Sequence, residues 1–417
     1  MPPVNYFNFI IQNWRFLVFG IVLNLFSSAG QTYFISVFGG EFRRDFSLSD
    51  GEFGFIYMVA TVTSAASLIW LGRFIDRIDL RIYAALVCAG IVAAILFTSI
   101  VETAFMLGVA FYFLRLMGQG LMNHTAITSM GRYFTERRGT AIGFISLGNT
   151  IGIAIYPVMG VVLIAWLGWS ESWALLGGVY AIVLVPLVLW LLKGHKVRHE
   201  NYLIKQHKES SLRGPSSGDY TVRSMIRELR FYLILPATLA PSFLLTGVIF
   251  HQVRIVEAKE WSMSIFASGF TGLAIATFLT SLALGPLVDK WRAVNILPFI
   301  LVPLAVALVV LNMFQAEIFS FVFLIFMGCS WGAAFAVSGA IWPELYGTTH
   351  LGAIKSFTKA LNVFASALSP WVFGLLFDAK FGILEISYLS IGIIFVTGLL
   401  AKISQYTHSQ EPLKKAS

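Results

Sequence analysis

Twelve apolar stretches, each close to twenty residues, alternate along the chain with short polar connections. A helix needs about 20 apolar residues to cross about 30 Å of hydrocarbon. The pattern therefore predicts spanning helices at Phe16–Phe38, Phe53–Leu71, Ile82–Ile100, Ala104–Met130, Thr140–Leu163, Trp173–Leu192, Phe231–Gln252, Ser264–Leu284, Ile296–Met313, Ile318–Ile341, Leu351–Phe373 and Ile383–Ala401. The long polar segment 193–230 holds nine Lys and Arg and the turn sequence Gly214-Pro215-Ser216-Ser217-Gly218. It reads as a solvated tether with a short surface helix near Thr221–Leu229. The expected organisation is a six-helix bundle at 1–192, the linker at 193–230, a second bundle at 231–402 and a tail at 403–417.

The two bundles are copies of one unit. A shift of 213 positions lays Gly72 on Gly285, Asp76 on Asp289, Arg77 on Lys290, Tyr133 on Tyr346, Gly139 on Gly352, Asn149 on Asn362 and Pro157 on Pro370. One constant offset across about ninety residues marks a duplication, which in an apolar chain reads as facing repeats with a site where they meet. The fold class predicted is all-α integral membrane, twelve helices in two pseudo-symmetric bundles.

Composition agrees. The 417 residues are 57% hydrophobic and 12% charged, with mean hydropathy +0.79; a soluble domain carries about 25% charge. The net charge of +8 would suit nucleic acid, but no basic run stands beside stacking aromatics in a soluble segment, so nucleic acid is not an expected partner. The only cysteines, Cys88 and Cys329, lie inside apolar runs, which argues against a disulfide framework or a thiolate metal site. Residues 1–15 have no signal-peptide pattern, so the first helix is expected to stay as an anchor. Lys and Arg crowd one set of connections, around Arg73–Arg81, Arg132–Arg138, Lys290–Arg292 and the linker. By the positive-inside rule that side is cytoplasmic, with both termini there, in the cell's inner (plasma) membrane.

Two connections share a motif: Gly72-Arg73-Phe74-Ile75-Asp76-Arg77 between helices 2 and 3, and Gly285-Pro286-Leu287-Val288-Asp289-Lys290 between helices 8 and 9. Glycine permits a tight turn, and the acid can face a helix N-terminus. The pair resembles the signature loop of the major facilitator superfamily. Asp79 stands where that family usually has a second Gly, and the second copy is cut short after Arg292. The resemblance implies a gating role for Gly72, Asp76, Arg77, Gly285, Asp289 and Lys290. Arg115-Leu116-Met117-Gly118-Gln119-Gly120 resembles an Arg-x-x-x-Gln-Gly pattern of proton-coupled members. Arg137-Arg138-Gly139-Thr140-Ala141-Ile142-Gly143 and Pro343-Glu344-Leu345-Tyr346-Gly347 resemble the monocarboxylate and oxalate–formate branch. Carriers of that branch commonly have a charge in helix 8, and Ser264 to Leu284 has none.

The ionisable groups well inside the predicted spans are Arg115, Lys355, Lys359 and, nearer the ends, His124, His251 and Arg254; no Asp or Glu is among them. A lone cation at mid-bilayer costs about 2.5–3.5 kcal/mol on insertion scales, so it needs a partner, water or an anion. Lys355, Lys359, Asn362, Ser366 and Pro370 recur at three and four and share one helix face. Two ammoniums one turn apart repel by about 3 kcal/mol at an effective dielectric near 20, so one is expected to be neutral until an anion arrives. Arg115 reads equally as an anchor for a carboxylate and as a structural residue bonded to carbonyls. Gln31, Tyr33, Asn149, His251 and Gln252 are expected to line the substrate cavity with Arg115, Lys355, Lys359 and Asn362; interhelical bonding is the plain alternative. The expected passenger is a small organic anion, with a proton as co-substrate, carried by a monomer in the lipid bilayer. No cofactor, metal or catalytic site is expected, and an enzyme is not.

Overall fold

The structure is a computed structural model that describes residues 6–134, 137–195, 198, 221–347 and 350–409. Among these, twelve helices are long and apolar enough to cross a membrane, and no strand occurs. They are α1 (Phe9–Gly30), α2 (Asp50–Asp76), α3 (Leu80–Thr98), α4 (Ala104–Tyr133), α5 (Arg138–Leu167), α6 (Trp169–Leu191), α7 (Leu229–Phe250), α8 (Met263–Trp291), α9 (Ala293–Met313), α10 (Phe319–Tyr346), α11 (Leu351–Asp378) and α12 (Ile383–Gln405). The chain is a multi-pass membrane protein, and the fold class read from the hydrophobic pattern holds.

The chain divides into two compact units, Met1–Phe38 with Thr63–Pro215, and Gly39–Val62 with Ser216–Ser417. Helix α2 is shared: its second half packs in the first unit, its first half in the second. In the first unit α1 lies along α5 and against α4, while α3 packs on α4 and α6. In the second unit α8 pairs with α10, and α7 with α11 and α12. The tether lies largely outside the described residues; at its end the surface helix is the short Val222–Met225, opened by a capping box between Thr221 and Ser224.

The repeat is visible in helix register. Asn149 and Pro157 stand in α5 where Asn362 and Pro370 stand in α11, counted from Arg138 and Leu351. The signature connection is not duplicated in structure. Gly72–Asp76 is a 3-10 turn, whereas Gly285, Asp289 and Lys290 lie inside the helix Phe270–Trp291. The tight turn expected at Gly285 is therefore absent. The chain reverses at Arg292, which takes a left-handed φ of 68°. Glu344, near the end of α10, holds that conformation: its carboxylate accepts from Arg292 Nε at 3.0 Å and from the Ala293 amide at 2.6 Å. In the first copy Asp79, not Asp76, caps a helix. It accepts from the Arg81 amide at 2.8 Å, and the Arg81 guanidinium beside it holds its carboxyl below the usual carboxylate range.

Helix α1 and α4 approach at glycine. A Cβ on Gly30 would lie 2.1 Å from the Leu114 carbonyl, and one on Gly118 would lie 2.9 Å from the Gly30 Cα. Neither contact can yield by rotating a side chain. Gly118→Leu is expected to destabilise the fold by at least about 1–3 kcal/mol. Gly143→Ala should be nearly silent, because a Cβ there meets nothing within 4 Å. Thermal unfolding of the two purified variants checks this.

Candidate functional site

The predicted residues fall into separate clusters, most of them polar interruptions of otherwise apolar helices. In the first unit α1 is interrupted. Ser27–Gly30 is a 3-10 turn, Gln31 is extended (φ −89°, ψ 150°), and a second helical turn runs Thr32–Ile35. The run Ser27-Ser28-Ala29-Gly30-Gln31 favours this, since small polar residues compete for backbone bonds and glycine releases the chain. An interruption inside a span leaves carbonyls that lipid cannot satisfy.

Arg115 supplies one of the donors. Arg115 is 3% exposed, and its Nη1 donates to the Gly30 carbonyl at 3.2 Å and to Thr32 Oγ1 at 3.4 Å. A cation at the C-terminal end of a helical segment also meets the negative end of its dipole. Arg115 opens a π-helical stretch, Arg115–Met122, within α4; such stretches are frequent at functional sites. Of its two expected roles, the geometry displays the structural one.

Tyr33 closes the same interruption from the other side. It is buried, and its hydroxyl donates to Ser28 Oγ at 2.8 Å. Nearby, the Tyr156 and Tyr180 hydroxyls share a bond of 2.6 Å, and Tyr180 donates to the Phe26 carbonyl at 2.8 Å. Tyr33 is thus part of a buried hydroxyl network and not a cavity liner, because the broken helix consumes its polar group. Gln31 and Asn149 are half-buried. Asn149 Oδ1 is buried without a hydrogen bond among the described residues.

In the second unit α11 carries the basic face. Lys355 Nζ donates to the Gly339 carbonyl of α10 at 3.1 Å. Asn362 Oδ1 accepts from Ser242 Oγ of α7 at 2.9 Å. Lys359, about 12 Å along α11 from Leu351 at 1.5 Å per residue, is exposed and has no hydrogen-bond or ion-pair partner among the described residues. Towards the far end of α7, His251 and Gln252 are 4% and 0% exposed. His251 Nε2 lies 3.0 Å from the Pro370 carbonyl and Nδ1 lies 3.7 Å from Asp50 Oδ1. Both residues were expected to line the substrate cavity; both are packed inside the unit, His251 beside a void with room for about one water.

The signature turn is anchored by a residue outside the motif. Arg132, near the end of α4, pairs with Asp76 and donates to the Ile75 carbonyl. His124 meets the Gly72 carbonyl at 3.2 Å, a bond between α4 and the signature turn. Arg77, Asp289 and Lys290 are exposed and have no ion-pair partner among the described residues.

The comparisons decide the family. Residues 19–370 match the model of the Major Facilitator Superfamily. The chain belongs to that superfamily. It is 24% identical over 401 residues to the uncharacterized MFS-type transporter YcxA of Bacillus subtilis (strain 168), covering 93% of this chain and 92% of that protein. Monocarboxylate transporter 6 of Homo sapiens is 27% identical over 150 residues, 35% of this chain and 29% of that protein. Among solved structures, a bacterial homologue of the human lysosomal transporter Spinster, in an inward-facing and occupied conformation, superposes with a TM-score of 0.65. It is 14% identical and covers 96% of this chain and 97% of that one. The superfamily supports the reading of twelve spans as a transporter, not an enzyme.

Sequence reasoning missed Asp50, Asp378, Arg132 and Thr32. The box Ser49-x-x-Glu52 was a readable signal for the start of α2, and both of its bonds are present, at 2.9 and 3.1 Å. Removing the Arg115 donor should leave a buried carbonyl underbonded. Arg115→Met is expected to cost about 1–3 kcal/mol, and Thr32→Val clearly less, as read from unfolding midpoints in detergent.

Proposed function

We propose that this superfamily member is a secondary active transporter of a small organic anion of monocarboxylate type, taken up by alternating access with proton symport. The observation that carries the reading is Lys359: an ammonium well inside an apolar helix, without a carboxylate or carbonyl partner among the described residues. Acids in the spans stand near helix ends, as with Asp50, Asp76, Asp289, Glu344 and Asp378. A bound carboxylate would relieve the cost of such a cation. The short match to a protein named monocarboxylate transporter points the same way. A proton accompanying the anion would offset its charge against the membrane potential.

In this reading Lys359 is the anchor, with Lys355 and Asn362 contributing polar contacts from the same helix; in the first unit Gln31 and Asn149 are the proposed polar contacts, and Arg115 shapes α1. Gly72, Asp76 and Arg77 belong to the gating turn, with Arg132 as its clamp; Gly285, Asp289 and Lys290 act as a basic helix end and not as a second turn. The basic connections and both termini face the cytoplasm, the membrane is the cell's inner membrane, and the transporter acts as a monomer built from bundles 1–192 and 231–402. Anion exchange is the second reading, favoured by the basic face of α11: a returning anion would replace the leaving one at Lys359. Export of drugs would call for a mid-span acid.

Uptake of radiolabelled small monocarboxylates into proteoliposomes under an inward proton gradient tests the proposal. Wild type should accumulate label and lose it with a protonophore. Lys359→Gln should reduce uptake at least about tenfold, in line with losing one charge-assisted bond of about 1.5–3 kcal/mol, while Lys359→Arg retains part. Intact, pH-dependent uptake by Lys359→Gln would remove the reading.

A further inference from the structure

The ends of α2, α7 and α11 meet in a charged cluster at the opposite end of α11 from Leu351. Asp378, the last residue of α11, caps the start of α2. Its carboxylate accepts from the Asp50 amide at 3.1 Å, the Gly51 amide at 2.9 Å and Ser49 Oγ at 2.9 Å. The two helices touch backbone to backbone there. A Cβ on Gly54 would lie 2.3 Å from the Pro370 carbonyl, and one on Gly374 would lie 2.3 Å from the Asp50 carbonyl. Asp50 then turns its own carboxylate to Arg43 at 2.5 Å, to Arg254 at 3.9 Å and to His251 Nδ1 at 3.7 Å.

His251 sits between two groups that can only accept. The Pro370 carbonyl faces Nε2 and the Asp50 carboxylate faces Nδ1. A neutral imidazole has one donor, so one nitrogen lone pair would face an oxygen; the imidazolium donates Nε2–H to the Pro370 carbonyl at 3.0 Å and pairs through a positive Nδ1–H with the Asp50 carboxylate at 3.7 Å. We propose that His251 is a proton-binding site that locks the start of α2 to α11: the proton adds an Nδ1–H donor to Asp50 while Nε2–H holds the Pro370 carbonyl, and its loss loosens the contact. This names a coupling site within the proton-symport reading and rests on that reading for its role in transport, although the titration itself needs no substrate.

The charged groups around the ring are Asp50, Arg43, Arg254 and, through the α2 amides, Asp378; Glu257 lies on the same short helix as Arg254. Phe373 and Phe377 of α11 pack on the ring. A cavity of about 20 Å³, room for about one water, abuts it, with Leu308 of α9 and Ser387 and Ser390 of α12 on its wall. Proton transfer here makes or breaks one N–H bond and needs no other reactant.

Hydrogen exchange by mass spectrometry on the full chain, without solute or gradient and corrected for intrinsic rates, tests the site. Peptides covering Gly51–Gly54 should exchange several-fold more slowly at about pH 5.5 than at about pH 8.5. His251→Gln and Asp50→Asn should each flatten that difference, and Asp378→Asn should speed exchange at both pH values while keeping it. A pH difference that survives in His251→Gln or Asp50→Asn, or none in wild type, would overturn the proposal. Because no transport is read, failure of the anion-carrier reading would leave this result unaffected, and the converse holds for uptake.

Discussion

Lipid offers no hydrogen bonds, so each interruption of a spanning helix must be satisfied by a side chain from a neighbour. That constraint organises the polar residues of this chain. The break in α1 after Gly30 is met by Arg115 of α4 and by the Tyr33–Ser28 bond. The start of α2 is met by Asp378 and by the Ser49–Glu52 box. The start of α9 is met by Glu344. Arg115, Asp378 and Glu344 come from helices distant in sequence, and each is charged.

Against that background Lys359 stands apart. Arg115 and Lys355 point at main-chain oxygens, as a structural cation should. Lys359, one turn past Lys355 on the same helix, does not among the described residues. An unpaired ammonium in an apolar helix is a cost without a structural return, which is why the functional argument rests on it.

Much of the fold was legible because the hydrophobic period and lipid thickness leave few choices. Twelve spans, the duplication and the shared register of Asn149 with Asn362 came from spacing. What escaped was local. The second signature copy looked like a turn because it repeats Gly and Asp, yet its residues continue a helix, and the reversal waits for Arg292. The two units clamp their turns with opposite signs: a base on α4 with an acid in the first, an acid on α10 with a base in the second. Sequence alignment by identity cannot see such an exchange, since Arg292 aligns with Asp79 and not with a matching charge. Tyr33, His251 and Gln252 were polar residues in spans, and pattern alone does not say whether such groups face water or one another. The packing resolved this for all three, and most informatively for His251, whose two nitrogens meet two acceptors.

In the proposed function, α11 presents a positive charge to a negatively charged passenger. Thermal stability of the purified protein against small monocarboxylates and their uncharged amides, matched in size, tests it most directly. The account predicts that carboxylates raise the unfolding midpoint, that amides do not, and that Lys359→Gln erases the difference. Equal stabilisation by acids and amides, or a carboxylate response that survives the loss of Lys359, would contradict it.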